Sequence, residues 1–207
     1  MTKGRKVGNL LALAVLSYLS RGPMHPYELS RTLREHDDAR SIRYNHSSLY
    51  MVVRQLADGG FIAAQGTSRE GQLPERTIYA ITDAGREELV AWIRVLVAEP
   101  QHEYPEFVAA LSLIAVLPPD EALRLLRTRL ERLSDQRAEI RALIDQTVSG
   151  GVHPLFLVEE EYRLSMLEAE SGFVERFIAQ ITDQETGWGP AWAEVHSDNP
   201  RRDEGRQ

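Results

Sequence analysis

Residues 44–62, YNHSSLYMVVRQLADGGFI, leave the chain fewer options than any other stretch. Leu49, Val52, Val53 and Leu56 fall on one stripe at helical spacing, so the segment is a helix with one buried face. Asn45 or Ser47 can accept a hydrogen bond from the free N–H groups of its first turn. Gly59 and Gly60 supply the left-handed stop that ends a helix, and Phe61 begins an extended segment. The outer face carries His46, Ser48, Tyr50, Met51, Arg54 and Gln55, with no acid from Ser41 until Asp58. Hydroxyl, amide and guanidinium groups without a carboxylate suit hydrogen bonding to base edges and neutralisation of phosphates.

The flanks supply a frame for such a helix. Residues 7–19 are almost wholly apolar, with Leu10, Leu11, Ala14, Val15, Tyr18 and Leu19 at recurring helical positions, and Gly22-Pro23 ends them. A helix this apolar is buried on most sides. Pro26 suits a first helical turn; Tyr27, Leu29 or Ser30, Leu33 and His36 then mark a second helix. The polar turn 37–40 joins it to the capped helix, which makes a helix-turn-helix. After Gly60 the period changes to that of strands, over 61–65 and, more clearly, over 76–81. Between them lies the polar, glycine- and proline-bearing segment 66–75, the expected tip of a hairpin wing. Thr82-Asp83 caps a fourth helix reaching about Val97. The basic residues 1–6 are either a solvated terminus or an added phosphate contact.

Charge supports this division. The net charge is −7, yet residues 1–85 hold 11 Lys+Arg against 8 Asp+Glu, leaving 13 basic and 23 acidic residues for the rest. A balance of +3 in front and −10 behind assigns any nucleic-acid surface to the front half. With no cysteine, disulfides and thiolate metal sites are excluded, which fits a reducing cytoplasm. The basic N-terminus before an apolar run is followed by a turn rather than a cleavage site, and no apolar run suffices for a membrane span. The six histidines show no metal-binding spacing, and no nucleophile elbow, Walker loop or dinucleotide fingerprint occurs. No enzymatic activity, metal or cofactor is expected.

Ser48-Leu49-Tyr50, followed by Leu56-Ala57-Asp58-Gly59-Gly60-Phe61-Ile62, resembles the PadR family of winged-helix transcriptional regulators. Pro26-Tyr27-Glu28-Leu29 resembles that family's second-helix opening, and residues 74–86 its second wing strand and the start of its fourth helix. The resemblance covers roughly residues 7–95. The chain departs from it at Asn45-His46-Ser47, where a Pro-Gly or similar pair is usual, and at Met51, where proline is common. Both lie where bases are read, so the resemblance carries the fold and not the operator sequence. It implies that the third helix enters the major groove of double-stranded DNA, N-terminal end first. Asn45, Ser47, Ser48, Tyr50, Arg54 and Gln55 are then the contact candidates, with Arg69 at the wing tip and Arg76 at its base. Ser47 is alternatively a pure cap, Tyr50 a core residue, and Arg76 the partner of Glu75 or Asp83. The resemblance also implies release by a small molecule, often phenolic or otherwise aromatic. Trp92 and Tyr104 are candidate walls for it, though Trp92 also reads as a core or interface anchor.

From Pro105 to about Ile181 the pattern is helical. Phe107, Leu111, Ile114 and Leu117 mark a short helix broken at Pro118-Pro119-Asp120, with Asp120 as the next cap. Leu126, Leu130, Leu133, Ile140 and Ile144 then form a coiled-coil-like seam, interrupted by Arg137. After the turn Ser149-Gly150-Gly151, a second stripe runs through Val158, Tyr162, Met166, Ala169, Phe173, Phe177 and Ile181. Two long helices joined this way form an antiparallel hairpin. It resembles the longer C-terminal region of one PadR subfamily, which implies a homodimer.

The expected fold is therefore mainly α with a small two-stranded β wing. A winged helix-turn-helix domain (1–99) precedes an α-helical hairpin dimerisation domain (100–182), and a polar tail (183–207) is expected to be disordered. Trp188 and Trp192 are out of character in such a tail and are candidates for docking onto the body. The expected function is that of a cytoplasmic, homodimeric repressor reading a near-palindromic operator. The rival reading is a winged helix used only to bind protein, which would tolerate acids on the third helix and wing.

Overall fold

A computed structural model of the chain describes residues 9–35, 42, 45–68, 76–183, 185 and 187–197. It divides into two compact units, residues 1–102 and 103–207.

The first unit is built on α1 (Leu10–Arg21), α2 (Pro26–Glu35), α3 (His46–Asp58), β1 (Ile62–Ser68), β2 (Arg76–Ile81) and α4 (Asp83–Ala98). α1 buries Leu11, Ala12, Ala14, Val15, Leu16, Tyr18 and Leu19, as its composition requires, while Leu10 at its start is exposed. Leu29 and Leu33 from α2, the α3 stripe, Ile62, Ile81 and Leu89 complete one core. β1 and β2 pair antiparallel, Ile62 opposite Ile81, with the register slipping between Ala64 and Gly66. Met24 and Tyr79 exchange both backbone hydrogen bonds at 3.0 Å, which ties the turn after α1 to the outer side of β2.

The junction between α3, the wing and α4 explains the spacing Thr82-x-x-Gly85. The Thr82 hydroxyl accepts from the Gly85 N–H (3.1 Å), capping α4, and donates to the Gly60 carbonyl (2.8 Å). Gly85 sits so close to the chain that a Cβ there would lie 2.1 Å from the Phe61 carbonyl oxygen. Of the two glycines ending α3, Gly60 alone takes the left-handed conformation, at φ 74°; Gly59 remains right-handed.

The second unit contains α5 (Glu106–Ser112), α6 (Pro119–Ser149), α7 (Val158–Thr182) and α8 (Gly189–Ser197). The short helix expected through Leu117 stops at Ser112 and continues as a 3-10 turn over Ile114–Val116. α6 starts with Pro119 in its first turn and has no side-chain cap, so Asp120 lies inside the helix rather than capping it. α6 and α7 pack as the expected hairpin, cross-linked by Arg129 to Glu170 and by Arg137 and Arg141 to Glu168. Arg137 thus enters the seam because a carboxylate meets it there. The connection is longer than a tight turn: Gly151 adopts φ 91° and a 3-10 turn, Pro154–Leu157, precedes α7.

Two expectations fail in this unit. The α7 stripe is buried only at its end, in Phe177 and Ile181; Val158, Tyr162, Met166 and Phe173 are exposed, and Val174 and Ser171 face the hairpin instead. Apolar residues occupy more than one side of α7, so spacing alone does not select the packed face. The tail also contains structure. α8 folds back, with Trp192 donating its indole N–H to the Leu117 carbonyl (3.1 Å) and stacking on Phe177. Two indoles outweigh the polar composition from which disorder is expected.

Candidate nucleic-acid interface

α3 is positioned by its own apolar stripe. Leu49, Val52, Val53 and Leu56 are between 0% and 7% exposed, so rotation of the helix is fixed by four side chains locked in the core. Its opposite face is open as a direct consequence of helical geometry.

The cap belongs to Asn45. Its backbone is extended, its side-chain oxygen accepts from the Ser48 N–H (2.8 Å), and the Ser48 hydroxyl accepts from the Asn45 N–H (2.9 Å) while donating to the Asn45 carbonyl (2.7 Å). This reciprocal box engages the side-chain oxygens of two candidate contact residues. Ser47 lies in the first turn with its side chain exposed and takes no part in the box.

Down the open face come Tyr50, Met51, Arg54, Gln55 and Asp58. Tyr50 is 44% exposed and does not belong to the core. The Arg54 side chain is 85% exposed and stands 3.9 Å from Asp58. An ion pair this exposed holds a guanidinium only weakly, so Arg54 can exchange Asp58 for a phosphate at little cost. Met51, which is not among the contact candidates of the sequence, lies on the same stripe at 54% exposure. Arg31 on α2, also outside those candidates, is an exposed cation, 3.2 Å from Glu35. Its position on the helix preceding the reading helix was the available signal, because that helix crosses the backbone in helix-turn-helix complexes.

Arg69 lies outside the described residues, as does most of the wing tip. Arg76 begins β2 opposite Ser68, and only its backbone is described. Trp92 packs against the first unit's core, its indole N–H buried without a partner among the described residues. Tyr104 belongs to the second unit and is 88% exposed. Neither is among the described residues lining the two hollows beside α5 in that unit.

A three-helix core, a helix-turn-helix and a two-stranded wing define the first unit as a winged helix. Residues 15–91 match the family described as "Transcriptional regulator PadR-like family". The negative transcriptional regulator PadR of Bacillus subtilis is 24% identical over 141 residues, which cover 68% of this chain and 76% of that protein. The crystal structure of Bacillus subtilis PadR in complex with operator DNA superposes with a TM-score of 0.69 at 22% identity, covering 83% of this chain and 98% of that one. The same protein in complex with p-coumaric acid gives 0.70 at 20% identity, over 84% and 100%. The family match is thus confined to the winged-helix unit, while the likeness to the Bacillus subtilis structures extends the shared fold into the second unit. Among the described residues no helix is long and apolar enough to cross a membrane.

Proposed function

We propose that the chain is a cytoplasmic repressor that binds a near-palindromic operator as a homodimer and is released by a small aromatic molecule. The open face of α3 carries this reading: Ser47, Tyr50, Arg54 and Gln55 project from a helix fixed by its buried stripe, in the family fold that binds operator DNA in Bacillus subtilis PadR. Arg54 and Gln55 suit phosphate and base edges, and Tyr50 a phosphate through its hydroxyl. Asn45 and Ser48 hold the helix N-terminus, whose free N–H groups themselves favour a phosphate.

Dimerisation is supported by the exposed stripe of α7. Val158, Tyr162 and Met166, each more than half exposed, form an apolar face that a second copy would cover. Two copies related by a two-fold axis present two α3 helices to half-sites ~34 Å apart. Release by an aromatic effector is supported by the p-coumaric acid complex of Bacillus subtilis PadR.

Footprinting of the purified protein on the DNA upstream of its own gene tests this. Two protected segments about one helical turn apart are expected. Protection of a single half-site would remove the dimeric reading, and absence of any protection would favour a winged helix that serves protein contacts.

A further inference from the structure

From the return of α8 onto the body we infer a binding site for a neutral, planar aromatic molecule, built by the C-terminal segment and lying wholly within the second unit. It deepens the effector reading above by naming a site and a ligand class. After α7 the chain doubles back: the Trp188 N–H donates to the Gln180 carbonyl (2.9 Å) and the Trp192 indole to the Leu117 carbonyl (3.1 Å). The reversal requires glycine twice. A Cβ on Gly187 would lie 2.0 Å from the Asp183 carbonyl oxygen, and one on Gly189 2.6 Å from that of Ile181.

This reversal gathers four rings. Phe177 lies 5.9 Å from Phe173, 5.9 Å edge-on from Trp188 and 6.5 Å from Trp192, nearly parallel to the last. Beside them is an open hollow of about 550 Å³, lined on its other side by α5 and the 3-10 turn that follows it. That volume falls within the range of small-molecule sites. Exposed, polarisable ring faces favour a flat aromatic partner by stacking. Among the described residues lining the hollow, Gln180 is the one amide and none is charged. A carboxylate placed there would lose water without gaining a cation, whereas a neutral molecule with one hydroxyl would meet the Gln180 amide. The neighbouring hollow, which Arg129 and Arg132 line, lacks this selectivity.

Calorimetric titration of the full chain with 2-naphthol and with 2-naphthoate, in the absence of DNA, tests the site. Saturable binding of one naphthol per chain is expected, with naphthoate weaker by about tenfold or more. Trp188→Ala should weaken naphthol binding about tenfold by removing one wall. Ala191→Leu should do the same by filling the hollow, which keeps the test intact should the loss of Trp188 unseat α8. Equal affinity for the two probes, no saturable binding, or indifference to both variants would overturn the proposal. So would naphthol binding that disappears as the protein is concentrated, because a second copy would then be the occupant. As DNA is absent, failure here leaves the operator reading standing, and a failed footprint leaves this site standing.

Discussion

Asn45 shows how one residue's role depends on backbone that the sequence does not reveal. Asn45 and Ser47 are both good caps and stand two positions apart, so spacing cannot choose between them. The extended backbone at Asn45 (φ −134°, ψ 169°) makes the choice, and Ser48 closes the box. Asn45→Ala should therefore lower unfolding stability by about 1 kcal/mol in chemical denaturation. A change near zero would mean that the box contributes nothing and that Asn45 serves DNA alone. Thr82 and Gly85 were more legible. Their spacing is one piece of the resemblance, and its physical reason is the hydroxyl bridge to Gly60 and the close passage of Phe61. What composition could not show is that Gly60, and not Gly59, takes the left-handed turn.

At the scale of elements, α3 has two faces with different energetic weight. Leu49→Ala should cost about 2–5 kcal/mol, since it opens a cavity in a closed core. Met51→Ala, on the open face, should stay within about 0.5 kcal/mol. Thermal or denaturant melts of the two variants check this, and equal losses would mean the helix is rotated from the described orientation. The stripe in α3 was readable because its apolar residues occupy one side only. In α7 they occupy several sides, so the four-and-three spacing selected Val158, Tyr162 and Met166, whereas Val174 joins Phe177 and Ile181 in the hairpin contact. α8 escaped the reading for another reason. Its order comes from Trp192 meeting Leu117 and Phe177, contacts some 75 and 15 residues away that local composition does not encode.

For the molecule as a whole, the uneven charge separates a basic front from an acidic back in the sequence, and the change of period at Gly60 marks the wing within the first unit. The position of the wing tip, and with it Arg69, lies outside the described residues. On the proposed division of labour the second unit holds two copies together, so truncation after Glu99 should yield a monomer in sedimentation. A persistent dimer would move the interface to the first unit.

On the proposed function α3 meets DNA with Arg54 on phosphate, and the salt dependence of binding reports on that contact. Affinity for an operator fragment, measured over a salt series, should fall linearly on logarithmic axes as counterions are released. Arg54→Ala should weaken binding and reduce the slope by about one. Parallel slopes for the two proteins, or wild-type binding indifferent to salt, would show that Arg54 does not meet a phosphate.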